Sequence, residues 1–458
     1  MIRAIVLSVF VFLTLVSGYG QEVFYKVVLR DAEEKKQPIR NAELTVEQKN
    51  GLEKQLFVSN SKGEVIFRGE DRKASVVVKH VAYEPLDTVL VNTGSKGDTI
   101  THQLFLSLKS YESTDIIVTN PFKPVPVFGS DRLSVEDFEL LSDGKMVLLT
   151  YERKLRKGAE VLLVDDEQKV LDARNAGDDA KQLVHDFRGN VHLVTSGSVY
   201  HLFPDGETIQ LYKMEKAYYD KYVQPVIDTM DNRIYFSNYQ EMYPAVDFFS
   251  FDKLDSVYTK LTSVTDEVMM EMYLAEYKYV DVRTKLWARE MEQELGVDKE
   301  IIVGATVFSN SILYKEIYAP LFLKEDTIYV FDYYRELMKV YDCDGEPIDS
   351  ISISHHIQPR KTGWKNQLLQ DRYTGQVYAV YEKAGTTTLR AIDLATGKTG
   401  EGIVLHYKYV DKLEVYNNSA YYIYRPFESA QKKFLYRERL PLEFKSAKTN
   451  SGDSIVRN

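Results

Sequence analysis

Arg188-Gly189-Asn190-Val191-His192-Leu193-Val194-Thr195 reads as a tight turn running straight into a strand. Gly and Asn tolerate the backbone angles that a tight turn demands, and the β-branched and apolar residues after them suit a pleated, half-buried surface. The same grammar recurs along the chain. Asp143-Gly144, Asp231-Asn232, Glu325-Asp326, Thr374-Gly375 and Asn417-Asn418 each precede a short run of β-branched and aromatic residues. Counted from Gly144, Gly189, Asn232, Asp326, Gly375 and Asn418, the steps are 45, 43, 94, 49 and 43. A period in the forties built from strands is the mark of a propeller blade. Six units with one doubled step predict a six-bladed β-propeller over 131–445 with a single large insertion.

That insertion falls at about 264–316, and its pattern is helical. Val268, Met272, Ala275, Tyr279, Val282 and Leu286 step by 4, 3, 4, 3, 4, the spacing of one helix face. Ser263 and Asp266 stand at capping-box spacing, and Gly296 is a candidate helix end. The apolar stripe is expected to lie on the propeller. The remaining surface, with Tyr273, Tyr277 and Trp287, is the expected partner-binding site.

Composition agrees with an all-β chain. Of 458 residues 12% are aromatic, including 33 Tyr and 21 Phe, which favour sheets. The formal net charge of −10 argues against nucleic acid, whose phosphates such a surface repels. Arg3, the apolar run 4–17 and Gly18-Tyr19-Gly20 ahead of Gln21 form an export signal over 1–20. The run falls short of the ~20 residues that a bilayer span needs, so no transmembrane segment is expected after cleavage. Cys343 is the only cysteine, so no intramolecular disulfide can form.

Residues 21–112 differ from the repeats. Strand-like runs at 23–29, 42–46, 56–58, 64–67, 74–79, 87–91 and 101–106, separated by polar turns, predict a seven-stranded β-sandwich. A Pro-rich linker is expected at 113–130, where Asn120-Pro121-Phe122-Lys123-Pro124-Val125-Pro126 favours an extended spacer. A disordered tail is expected at 446–458.

Three stretches of the sandwich resemble a known family. Gln37-Pro38-Ile39-Arg40-Asn41-Ala42-Glu43-Leu44-Thr45-Val46 resembles its opening strand, and Ser59-Asn60-Ser61-Lys62-Gly63-Glu64-Val65-Ile66-Phe67 its glycine turn. His80-Val81-Ala82-Tyr83 stands at its Gly-Tyr position, with Ala82 in place of glycine. The resemblance is to carboxypeptidase-regulatory-like domains of Bacteroidota envelope proteins. It implies a transthyretin-like sandwich that presents other domains and carries no active site. The repeats in turn resemble six-bladed propellers of the NHL type.

No nucleophile elbow, phosphate loop, EF-hand or zinc-protease motif is present. His185 and His192 flank a hairpin that could bring their rings together, but no third metal ligand is nominated. His355-His356 would point to opposite faces of a strand. No catalytic residue, cofactor or metal is therefore expected, although propeller sites are assembled across blades, where spacing is blind. The sequence favours a non-enzymatic scaffold exported to the periplasm or the outer-membrane periphery, contacting an envelope protein. A carbohydrate-binding or sensing module and a propeller-type lyase or hydrolase are the alternatives.

Overall fold

The computed structural model describes residues 23–441 except 34–36, 48–53, 70–71, 95–97, 109–116, 120–121, 178, 240–242, 296–297, 305–315 and 427–431. The chain divides into two compact units, one reaching Glu112 and including Glu267–Met272, the other formed by Ser113–Asp266 and Tyr273–Asn458. The predicted export signal, the tail and Gly296 lie outside the described residues.

The first unit holds seven strands: β1 (Val23–Asp31), β2 (Glu43–Glu47), β3 (Lys54–Val58), β4 (Glu64–Gly69), β5 (Lys73–Lys79), β6 (Leu86–Val91) and β7 (Thr99–Leu106). They form two sheets, β4-β1-β7 and β3-β2-β5-β6, as the sequence predicts for a sandwich. Period-two burial turns Leu44 and Val46 of β2, and Val76 and Val78 of β5, inward. Tyr25 stacks on Phe67 at 5.1 Å between ring centroids. The turn before β4 has a local cause. Asn60 Oδ1 accepts the Lys62 and Glu64 N–H groups at 3.0 and 2.9 Å. Gly63 then takes a φ of +72°, where a Cβ would sit 2.6 Å from the Leu29 carbonyl oxygen. Ala82 is buried and lies outside the left-handed region, so its methyl group fits where the related pattern has glycine.

In the second unit, β8 (Ile117–Thr119) and β9 (Val125–Phe128) precede six sheets. Blade 1 is β10 (Ser134–Leu140), β11 (Met146–Lys154), β12 (Lys157–Val164) and β13 (Val170–Gly177). Blade 2 is β14 (Ala180–His185), β15 (Val191–Thr195), β16 (Val199–Asp205) and β17 (Thr208–Met214), followed by helix α1 (Lys216–Tyr222). Blade 3 is β18 (Val226–Met230), β19 (Arg233–Ser237), β20 (Ala245–Asp252) and β21 (Tyr258–Thr265). The insertion contributes α2 (Glu267–Tyr277), α3 (Val282–Leu295) and α4 (Lys299–Val303). Blade 4 is β22 (Leu321–Lys324), β23 (Thr327–Asp332), β24 (Leu337–Asp342) and β25 (Pro347–Ser352). After the short helix α5 (Pro359–Thr362), blade 5 is β26 (Trp364–Gln370), β27 (Val377–Lys383), β28 (Thr386–Ile392) and β29 (Thr399–Lys408). Blade 6 is β30 (Asp411–Tyr416), β31 (Ser419–Tyr424) and β32 (Phe434–Arg439), and β9 completes it on the β32 edge.

The propeller is therefore closed by a strand that precedes its first blade. The reading of 113–130 as a linker is corrected here: β9 pairs antiparallel with β32, and β8 pairs parallel with β29. Proline is tolerated in β9 because an outer strand need not donate every backbone N–H. Val127 and Phe128 are buried with Phe138, Leu148, Ile423 and Leu435, so apolar packing reinforces the seam between blades 6 and 1.

The recurrent turns share one device. Asp186 Oδ1 accepts the Arg188 and Asn190 N–H groups, and Asp342 Oδ1 those of Asp344 and Glu346. An Asp side chain closes the turn, and a glycine with positive φ follows at Gly189 and Gly345.

The insertion departs from expectation. Its helices break at residues 278–281, and the stripe is not covered: Val268, Tyr279, Val282 and Leu286 are 42, 89, 71 and 56% exposed. The residues it buries are instead Ala288, Ile302 and Val303. Ser263 lies in β21, not at a helix cap, and its hydroxyl donates to Asp247 at 2.6 Å.

Candidate functional site

The first strands of neighbouring blades are bonded to one another. The Leu183 N–H of β14 donates to Asp137 Oδ2 of β10 at 2.7 Å. The Gln370 side-chain amide of β26 donates to the Leu323 carbonyl of β22 at 2.6 Å. Lys412 Nζ of β30 donates to the Phe138 carbonyl of β10, also at 2.6 Å. Side chains alternate along a strand, so polar residues two apart on these strands face one side. Asp137 and Glu139, and Lys412 and Glu414, are such pairs.

Lys412 is the hub. Its ammonium lies 3.0 Å from Glu139 Oε1 and 3.2 Å from Glu414 Oε1, and it also contacts Asp137 Oδ1. It sits 5.2 Å above the Phe138 ring. The backbone is distorted to deliver it: Lys412 lies at a bulge in β30 with a φ of +24°. Burial disfavours the charged amine, but Glu414, Glu139 and Asp137 outweigh that and hold its pKa raised. Burial, together with the Glu139 charge, pushes Glu414 up to about 7. Burial also raises Asp137, with Lys412 opposing. Glu139 stays lowered, because His185, Lys412 and Arg372 overcome its desolvation.

His185 ends β14 with its side chain 7% exposed, and its Nδ1 meets Glu139 Oε2. An ionised Glu139 accepts from Nδ1, which fixes the orientation of the ring. Nε2 has no partner among the described residues and is not among their buried unsatisfied atoms, so it reaches solvent. Arg372 stands 3.9 Å from Glu139 and is 52% exposed. Its turn is held by Asp371, whose carboxylate accepts the N–H groups of Asn417 and Asn418 in blade 6 at 2.9 and 2.8 Å. Asp228 on β18 is raised by burial, with Arg372 opposing. The arrangement offers a carboxylate-oriented imidazole, an exposed guanidinium and carboxyl groups poised to titrate, which is acid–base equipment.

None of the three residues expected to bind a partner lies here. Tyr277 is half-buried at the end of α2 with the Lys285 ammonium 5.3 Å from its ring, and Trp287 on α3 is 41% exposed. Tyr273 belongs to α2, but its side chain lies outside the described residues. His185 and His192 are not brought together. His185 pairs with Val191 and His192 with Val184, so their rings take opposite faces of blade 2. His192 instead meets Asp186 at 3.0 Å and packs on His201 and Tyr219. His355 and His356 follow β25 in a turn rather than a strand. His355 is buried against Tyr333, whose hydroxyl lies 3.1 Å from its Nε2. Among the described residues, no group of three or more His, Cys, Asp or Glu could hold a metal ion.

No family model matches the chain, and no curated protein does. Among solved structures it is similar to a streptogramin B lyase at 9% identity, covering 70% of this chain and 88% of that one, with a TM-score of 0.29. A luciferin-regenerating enzyme gives 8% identity, 69% and 95% coverage and a TM-score of 0.34. A nidogen/laminin complex gives 7%, 80% and 94%, and 0.28. Likenesses this distant carry no functional weight. The class of the protein follows from its own sheets: an all-β chain of a seven-stranded sandwich and a six-bladed propeller with a helical insertion.

Proposed function

We propose that the chain is a non-enzymatic binding protein of the cell envelope, exported and held at the periplasmic or outer-membrane periphery by an envelope protein partner. The observation that carries this reading is the uncovered stripe of the insertion. Val282, Leu286 and Trp287 on α3, with Tyr279 in the break before it, expose apolar surface among acids and bases, the composition of a contact patch. The family resemblances of the sandwich and the repeats agree with this role. To test it, the wild type and a Val282→Ser/Leu286→Ser variant are used as bait in crosslinked envelope extract. Both substitutions are on exposed helix surface, so Tm should hold. A stoichiometric partner recovered by the wild type and lost from the variant supports the reading; equal recovery by both removes the insertion from it.

A second reading is favoured by the axial cluster. His185 oriented by Glu139 beside Arg372 is the equipment of a lyase or hydrolase. Screening glycan and peptide substrates with the wild type and His185→Gln tests it. Turnover that His185→Gln abolishes supports catalysis, and turnover that survives the substitution rejects it.

A further inference from the structure

We propose that a cavity at the seam between blades 1 and 6 binds a tetrahedral oxyanion, a phosphate or sulfate group borne on a small molecule. The cavity measures about 580 Å³. Arg132 and Arg153 line it from the blade 1 side, Arg425 and Lys432 from blade 6, together with the acids Asp131 and Glu152. Among the described lining residues four cations face two acids, in a chain whose net charge is −10. The excess runs against the composition of the molecule as a whole.

Two of the cations are already engaged. Lys432 Nζ donates to the Glu152 carbonyl, and Arg132 lies 3.8 Å from Glu160. Arg153 and Arg425 have no hydrogen-bond or ion-pair partner among the described residues. One comes from the end of β11 and the other follows β31, so like charges from two blades face one space. Their mutual repulsion is relieved by an anion placed between them.

Each guanidinium offers parallel N–H donors that match two oxygens of one acceptor. A carboxylate has two oxygens and satisfies one fork. A phosphate or sulfate ester has three terminal oxygens and so serves both, and the phosphate also carries more charge. The cavity is far larger than the ion, leaving room for a sugar-sized body beside Tyr151. Because the cations straddle the seam that β9 closes, an occupant also ties blade 6 to blade 1. Binding is therefore read out as stability of the ring.

The test is a thermal melt of the full chain in low-salt buffer with inorganic phosphate, sulfate, acetate and chloride at matched ionic strength. Phosphate and sulfate at about twenty times their Kd should raise Tm by roughly 3 °C. Acetate and chloride should do no more than screen. The exposed-site variant Arg153→Gln/Arg425→Gln should lose the shift while keeping its circular dichroism spectrum. Should that pair not fold, either single substitution should weaken phosphate at least fivefold, measured by ³¹P line broadening. A phosphate shift no greater than that of chloride overturns the proposal. So does a shift that survives loss of both arginines, and an acetate response equal to phosphate rejects the tetrahedral class.

Discussion

Replacing Lys412 with Met keeps the apolar stem and removes the ammonium, leaving Asp137, Glu139 and Glu414 facing one another. Asp137 and Glu139 are only 8 and 5% exposed, so water screens them poorly. Breaking one partner out of a buried charge network costs about 3–5 kcal/mol. For a unit of this size that corresponds to a Tm fall of roughly 4–7 °C. The loss has a pH signature. Burial beside Glu139 raises Glu414 to about 7 in the folded protein from its ordinary 4.5, so its contribution is fully present below pH 4.5 and lost as pH rises through 7. Without Lys412 the carboxylates are raised further, and the penalty deepens at high pH and eases at low pH. Urea denaturation of Lys412→Met and wild type at pH 8 and pH 5, followed by tryptophan fluorescence, measures both effects. A loss under about 1 kcal/mol at pH 8, or one that does not shrink at pH 5, refutes the idea that the ammonium is what holds these carboxylates together.

Other expectations are equally direct. Phe128→Ala empties a buried position on the closing strand and should cost about 3–5 kcal/mol, with accelerated proteolysis at the blade 6 seam as the check. Gly63→Ala forces a methyl group to 2.6 Å from the Leu29 carbonyl at a left-handed φ, so the sandwich should lose at least ~1 kcal/mol in calorimetry while the propeller transition stays put. Burial holds His355 down at about 3, so its contribution is present above its ordinary pKa of 6.5 and lost as pH falls below it. His355→Gln should flatten the fall in urea midpoint between pH 7 and pH 5; an unchanged slope would discount His355 as its source.

Legibility in the sequence followed locality. The Asp and Gly turns were readable because an Asp carboxylate bonds to backbone two to four residues on, within one short peptide. The seven sandwich strands were readable because their inward faces alternate, as in the buried Leu44 and Val46 of β2. The fourth strands of the blades were not: β25 is exposed at nearly every position and carries no apolar period. The closing strand hid inside a proline-rich run, since an outer edge tolerates the residues that a central strand excludes. Helical spacing in the insertion identified helices but not their cover; Tyr279 falls in the break between α2 and α3 and stands 89% exposed.

The repeat, the strand runs of the sandwich and the place of the insertion could be read from sequence alone, because each is a local pattern of residues. The tertiary structure decided that residues ahead of the first blade close the ring. It also decided that Glu139, His185, Arg372 and Lys412 meet on the axis, and that arginines of two blades share a cavity. Lys412 reaches Glu139 across 273 positions of chain. No local period encodes such a meeting; it is set by the geometry that brings the last blade beside the first.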